Sequence, residues 1–106
     1  MGIIYTTAQN SDLDSIMTLL KSERGDLTEL KLNQFIIAKD NENVIGCVRT
    51  KDLTSDCIEL ASLAVSPEYR GQGIGIRLVN EILEKDYRRP IYLLCMKDNI
   101  IAMSLS

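Results

Sequence analysis

Three glycines at alternate positions, Gly71, Gly73 and Gly75, separate the longest candidate strand of the sequence from an amphipathic segment. Residues 57–65 form the strand-like run, and Pro67 ends it because proline has no N–H to donate to a neighbouring strand. This order predicts a strand, a glycine loop and a helix, and it limits the possible folds more than any other part of the chain. The helix is indicated by apolar residues at the spacing of one helix face before Lys85, namely Ile76, Val79, Ile82 and Leu83.

The segments on either side of this unit predict further strands. Residues 2–7 are apolar and β-branched, and the β-type runs 35–39 and 44–51 are joined by a polar stretch typical of a hairpin loop. Residues 91–96 form an apolar run after the helix, as expected for a strand that returns parallel to the long one through a crossover. The predicted fold class is α/β (α+β), with a mixed, mainly antiparallel sheet and helices on both faces.

Three other segments favour helices. Ser11 and Asp14 have capping-box spacing before apolar residues at i, i+3, i+4 and i+7. Leucines between residues 27 and 32 suggest a short second helix, and the stretch 98–106 predicts a helix in which the chain ends. In the helix after the glycines, Glu81 and Lys85 are placed to pair at i, i+4.

Composition excludes several classes of function. The chain of 106 residues predicts a single domain, 1–106, and its formal net charge of −3 gives no bulk attraction to nucleic acid or to an anionic membrane. Histidine is absent, which excludes imidazole metal sites and Ser-His or Cys-His nucleophiles. The three cysteines are far apart, which indicates reduced thiols in a cytoplasmic protein and no metal site. No apolar run approaches the ~20 residues of a membrane span.

The glycine loop itself has two interpretations. Backbone N–H groups at a helix N-terminus form an anion site, and glycines let a pyrophosphate approach closely. Glycine also serves tight bends, so a purely structural turn is the alternative. Two familiar nucleotide loops do not fit, because Ile76-Arg77 replaces the Lys-Ser/Thr pair of a Walker loop and the glycine spacing differs from that of the dinucleotide fingerprint.

The run from Leu63 to Gly75 resembles the acyl-CoA-binding motif of the GNAT N-acetyltransferases, Gln/Arg-x-x-Gly-x-Gly/Ala. Arg70, Gly73 and Gly75 occupy its three defining places, and the order of elements is similar over nearly the whole chain. The resemblance implies acetyl-CoA as the acyl donor and an amine, in a small molecule or a peptide, as the acceptor. The implied cofactor-binding residues are Ala64, Val65, Arg70, Gly71, Gln72, Gly73, Ile74, Gly75 and Asn99.

Glu59 is the candidate catalytic residue. It is the only carboxylate inside the otherwise apolar strand, and a carboxylate near the acyl group can accept the proton of the attacking amine. The resemblance implies the same role, since several lysine-acetylating members carry a glutamate six residues before the position of Val65, and it implies a backbone N–H near Val65 for the oxyanion. The alternative is that Glu59 lies on a solvated face or at the sheet edge.

The tail departs from the family pattern. Asn99, Ala102 and Leu105 match the helix that follows the last strand in the family, but Ser106 stands where a tyrosine acid is usual. The last two strands of the family's sheet are expected to be missing, which would leave residues 91–96 as an exposed edge and favour a homodimer. The leading hypothesis is an acetyl-CoA-dependent N-acetyltransferase, and the alternative is a truncated, non-catalytic acyl-CoA-binding or sensor module.

Overall fold

The computed structural model describes residues 2–23, 30–52, 58–85, 91–94 and 100–103. They form a six-stranded sheet in which every strand lies beside its neighbour in sequence. All neighbouring pairs are antiparallel except β4 and β5, which run parallel, so the predicted mixed sheet is confirmed. The strands are β1 (Ile4–Thr7), β2 (Phe35–Asp40), β3 (Asn43–Asp52), β4 (Ile58–Val65), β5 (Ile91–Leu94) and β6 (Ile100–Met103).

The two α-helices cover opposite faces of the sheet, as predicted. Helix α1 (Leu13–Ser22) packs Ile16 and Leu20 against one face, and α2 (Ile74–Lys85) packs Leu78 and Ile82 against the other. Each helix buries one apolar stripe, and alternation along the strands supplies both faces with apolar side chains. Three short 3₁₀ turns complete the described elements, at Asn10–Asp12, Leu32–Gln34 and Pro67–Tyr69.

The start of α1 differs from the prediction. A capping box at Ser11 and Asp14 was expected, but the chain first makes the 3₁₀ turn, and the Gln9 N–H donates to Asp12 Oδ2 at 2.9 Å. Lys39 Nζ on β2 lies 3.0 Å from the other oxygen of Asp12, Oδ1. A carboxylate three residues after the cap position thus satisfies an N–H at the helix start and ties that start to the sheet.

The predicted pair of Glu81 with Lys85 is also wrong. Glu81 Oε2 accepts from Arg77 Nε at 3.4 Å, and Lys85 Nζ donates to the Asn33 carbonyl oxygen at 2.8 Å. Glu81 therefore pairs with a cation on its N-terminal side, while Lys85 connects the end of α2 to the turn before β2.

The largest difference from the prediction lies in the tail. Residues 100–103, expected within a helix, form β6 and pair antiparallel with β5, from Leu94 opposite Ile100 to Ile91 opposite Met103. Short apolar runs do not distinguish helix from strand by periodicity, and adjacent β-branched isoleucines suit a strand beside an available partner. One strand expected to be missing is therefore present, and β5 is not the edge of the sheet.

The second predicted helix is not borne out where it can be compared. Residues 32–34 form a single 3₁₀ turn, and residues 24–29 lie outside the described part of the chain. No helix among the described residues is long and apolar enough to cross a membrane.

Candidate functional site

The glycine loop after β4 has the backbone conformation that its sequence demands. Gly71 and Gly73 have φ of 81° and 79°, in the left-handed region that side chains with a Cβ rarely adopt. No described atom lies within 4 Å of the position that a Cβ would take at either residue. The loop is therefore open on the side where these side chains are absent, and a ligand has room to approach its backbone.

The loop leads directly into the N-terminus of α2. The Gly73 carbonyl oxygen accepts from the Arg77 N–H at 3.0 Å, so Gly73 is the cap residue and the N–H groups of the next three residues have no partner within the helix. Aligned peptide dipoles add partial positive charge at this end. These features suit the binding of a phosphate anion.

Close packing fixes where α2 begins. A Cβ added to Gly46 on β3 would lie 3.0 Å from Leu78 Cδ1 and 3.3 Å from Ile74 Cγ2, so glycine lets the helix approach the sheet. Gly75 differs, because its φ is not in the left-handed region and an added Cβ would make only an ordinary 3.8 Å contact with Val65 Cγ2. The described part of the chain gives no internal reason for glycine at position 75.

Two side chains at the start of the loop anchor it to other elements. Tyr69 donates its hydroxyl proton to Asp40 Oδ2 at 2.6 Å, which joins the loop to the end of β2. This hydrogen bond raises the pKa of the Tyr69 phenol. Arg70 donates to Glu23, just beyond α1, and Arg70 Nε lies 3.3 Å from the Val65 carbonyl oxygen. Sequence analysis identified Arg70 but missed Tyr69, Asp40 and Glu23.

Strands β4 and β5 pair over only part of their length. The parallel register joins Ile58 to Ile91 and Leu60 to Leu93, whereas β4 continues to Val65 beside the glycine loop. Residues 95–99 lie outside the described part of the chain, so the described register covers only the first half of β4. The resemblance to GNAT proteins implies that the two strands part near Val65, and an opening there would lie between β4 and β5, on the side of β4 away from β3.

Strand β4 contains a bulge that the sequence did not reveal. Arg49 on β3 faces Ala61 and Cys47 faces Ala64, so Ser62 and Leu63 together oppose a single residue, Val48. Ser62 has φ of 54°, in the left-handed region where serine is uncommon. Leu63 is 40% exposed, although neighbouring Ser62 and Ala64 are buried.

The ladder beyond the bulge orients the Val65 amide. The Ser66 N–H donates to the Ile45 carbonyl oxygen at 2.8 Å, and Val65 faces Gly46 in the next pair. Hydrogen-bonded and non-hydrogen-bonded pairs alternate in an antiparallel ladder, so the Val65 N–H points away from β3. It is directed to the side of β4 on which β5 lies.

Glu59 is buried, with 6% relative exposure, and it faces Lys51 across the β3–β4 ladder. Its neighbour Leu60 belongs to the core under α2, so alternation places Glu59 on the face covered by α1. The interpretation of Glu59 as a solvated surface residue is therefore wrong. Its side chain takes part in interactions within the protein, and its peptide lies opposite Tyr92 on β5.

The predicted cofactor-binding residues divide into three groups. The first group, residues 70–75, forms the loop and the first residues of α2, and within it the Ile74 side chain is buried in the core. The second group, Ala64 and Val65, lies at the end of β4. The Ala64 side chain packs on the α1 side, and Val65 packs against the core under α2. Asn99, together with Leu105 and Ser106 of the tail motif, falls outside the described residues.

Comparison with known proteins gives one family. The sequence model of the acetyltransferase (GNAT) family matches residues 5–105. An amino-acid acetyltransferase of Neisseria meningitidis is 33% identical over 88 residues, which cover 74% of this chain and 20% of that protein.

Two solved structures, 25% and 26% identical to this chain in sequence, share its fold. N-acetylglutamate synthase from Neisseria gonorrhoeae, complexed with coenzyme A and N-acetyl-glutamate, superposes with a TM-score of 0.78 at 25% identity over 92% of this chain and 26% of that one. A Mycobacterium tuberculosis protein in complex with CoA gives 0.76 at 26% identity over 89% and 65% of the two chains. The chain thus spans about a fifth to a quarter of its two Neisseria relatives.

Proposed function

Because the chain belongs to the acetyltransferase (GNAT) family, we propose that it transfers the acetyl group of acetyl-CoA to an amine. The family match confirms the resemblance that the glycine loop indicated. The observation that carries the proposal is the open backbone at Gly71 and Gly73, next to the N-terminus of a helix of 12 residues.

The residues at the start of α2 fit the pyrophosphate of coenzyme A. The backbone N–H groups of residues 70–75 would hold its oxygens, helped by the helix dipole and the positive charge of Arg70. A small residue at position 75, which the internal packing does not require, leaves room for a ligand that passes close to it. The pantetheine arm would then follow Ala64 and Val65 into the opening beside β4.

For the reaction, we assign the base to Glu59 and an oxyanion donor to the Val65 N–H. The amine nitrogen attacks the carbonyl carbon of the thioester, and its proton passes to the Glu59 carboxylate directly or through water. The Val65 N–H, directed toward the opening, would donate to the oxygen as it gains negative charge. The C–S bond then breaks, the amide forms, and the CoA thiolate leaves and takes up a proton.

The relatives support a proposal for the acceptor class. One is named an amino-acid acetyltransferase and another is complexed with N-acetyl-glutamate, so the α-amino group of a free amino acid is the acceptor we propose first. A peptide amine is the second candidate, since a NatC complex bound to a Gag peptide and CoA shares the fold with a TM-score of 0.72 at 25% identity.

The test is a calorimetric titration with acetyl-CoA, followed in the same sample by a thiol-release assay with L-glutamate, other amino acids and a lysine peptide. Binding with amine-dependent thiol release supports the enzyme. Binding without release from any amine favours the non-catalytic acyl-CoA module. Gly73→Glu should abolish binding, because it places bulk and negative charge at the proposed pyrophosphate site, and unchanged affinity in a folded variant would remove the loop from the proposal.

We also propose a cytoplasmic homodimer. A cytoplasmic location is supported by the free, buried thiol of Cys47. The dimer no longer rests on an exposed β5, because β6 covers that strand. Support comes instead from β1 at the other end of the described sheet, where Ile4 is 62% exposed on an edge strand. Sedimentation of the wild type and of Ile4→Lys should show a dimer that the lysine weakens, and a monomeric wild type would contradict the proposal.

A further inference from the structure

Two side chains from β3 hold Ser62 at the bulge in β4. Arg49 Nε donates to Ser62 Oγ at 2.9 Å, and Cys47 Sγ donates to the Ser62 carbonyl oxygen at 3.3 Å. Arg49 and Cys47 are both fully buried, and Ser62 is 7% exposed. One strand thus supplies donors to the side chain and to the backbone of the one residue of β4 that has a left-handed φ. These three residues are called the bulge clamp below.

Both donors are suited to a permanent role. Burial raises the pKa of the Cys47 thiol to about 12, so it keeps the proton that it donates at neutral pH. The Arg49 guanidinium is always charged, and its Cζ lies 5.5 Å from the centroid of the Phe35 ring, which orients it from the β2 side. A left-handed serine is unfavourable relative to extended backbone, so such contacts are needed to keep it there.

The bulge determines how the two halves of β4 are oriented relative to each other. Before the bulge Glu59 faces Lys51, and after it Val65 faces Gly46. Strand β4 therefore advances by one residue more than β3 between these two pairs. This shift by one residue reverses the alternation of side chains along the rest of the strand. Without it, the Val65 N–H would exchange direction with that of its neighbour and would no longer point into the opening.

We propose that Arg49 and Cys47 are positioning residues for acetyl transfer, because by holding Ser62 they fix the Val65 amide relative to Glu59. The inference rests on the proposed function, in which Glu59 is the base and the Val65 N–H binds the oxyanion. Cys47 packs in the core under α1, on the face of the sheet opposite α2, so loss of the clamp should affect turnover more than acetyl-CoA binding.

The test compares Ser62→Ala with a matched pair at position 47. Cys47→Ser keeps a donor for the Ser62 carbonyl oxygen, whereas Cys47→Ala removes that donor. The two replacements reduce the volume of the side chain by similar amounts. We expect kcat to fall about tenfold or more in Ser62→Ala and Cys47→Ala, since small displacements of reacting groups have effects of this size. Cys47→Ser should remain nearer the wild type, and the calorimetric Kd for acetyl-CoA should change less than about threefold in all three.

Ile36→Val, in the core under α2, controls for a general loss of stability. It should lower the melting temperature and leave kcat unchanged. Unchanged kcat in Ser62→Ala, equal losses in Cys47→Ser and Cys47→Ala, or a parallel loss of acetyl-CoA binding would overturn the positioning role.

A second readout separates this inference from the proposed function. If the wild type transfers no acetyl group to any amine tested, the proposed function fails, and amide hydrogen exchange then tests the bulge clamp alone. The Ser66 N–H, bonded to Ile45 immediately after Val65, should exchange faster in Ser62→Ala and Cys47→Ala than in Ile36→Val. Equal exchange in all of these variants would show that the clamp does not fix the end of β4.

Discussion

Alanine at Gly73 and at Gly75 should change stability in opposite directions. Gly73 has φ of 79°, so alanine there would hold an L-residue in the left-handed region at a cost of about 1–2 kcal/mol. No described atom lies near the new methyl group, so packing adds nothing to that cost. Gly75 lies inside the first turn of α2, and alanine there should gain about 0.5–1 kcal/mol because glycine has more conformational freedom to lose.

The assay is thermal and urea unfolding of both variants without ligand. For a domain near 100 residues, each kcal/mol corresponds to roughly 4–8 °C, so the melting temperatures of Gly73→Ala and Gly75→Ala should differ clearly from each other. Acetyl-CoA titration should also distinguish the two positions by the dissociation constant. Gly75→Ala should be more stable and keep the wild-type affinity, since the family motif accepts alanine at this place, whereas Gly73→Ala should bind more weakly because its methyl group enters the open space at the proposed pyrophosphate site.

Two results would refute this reasoning. If Gly73→Ala unfolds at the wild-type temperature, the left-handed conformation is not required in solution. If Gly73→Ala binds acetyl-CoA with wild-type affinity, the open backbone at this glycine is not part of the ligand site. Gly2, which is exposed and has open space around it, provides the control in Gly2→Ala, with no expected change in stability or binding.

Three further predictions follow from the site and from the start of α1. Glu59→Gln should reduce kcat by about 100-fold or more and remove the acid limb of its pH profile, with acetyl-CoA affinity kept, and a wild-type rate would exclude Glu59 as the base. Tyr69→Phe should weaken acetyl-CoA binding, because the loop loses its hydrogen bond to Asp40, and calorimetry that shows wild-type affinity would contradict this. Although burial raises the pKa of Asp12, the Gln9 N–H and Lys39 together hold that pKa below its usual value. The stability that Asp12 contributes is thus present above about pH 4 and is lost as the pH falls through its folded pKa, so urea unfolding of Lys39→Met should show a weaker acid dependence than the wild type.

Much of the fold could be predicted because the relevant signals are local. The strand ended by Pro67, the glycine spacing and the apolar stripe of α2 each depend on a few adjacent residues, and the structure confirms all three. The helix predicted for the tail was wrong because Ile100 and Ile101 fit either a helix or a strand, and only the presence of β5 as a partner decides between the two structures. The predicted ion pair of Glu81 with Lys85 was wrong for a similar reason, because the tertiary structure brings the Asn33 carbonyl oxygen to Lys85.

The two halves of the candidate site differ in the same way. The half proposed to bind the cofactor is made of backbone, and a backbone that must adopt positive φ favours glycine, so Gly71 and Gly73 are visible in the sequence. The half next to Glu59 depends on a bulge at Ser62, a residue that no turn rule selects, and the contacts that hold it come from β3, 13 and 15 residues earlier in the chain. Sequence could therefore suggest Glu59 as the one carboxylate inside an apolar strand, and the family resemblance implied the role of the Val65 N–H. Their relative orientation arises only when β3 and β4 pair, and so the proposed roles of Glu59 and the Val65 N–H depend on the bulge that Arg49 and Cys47 contact.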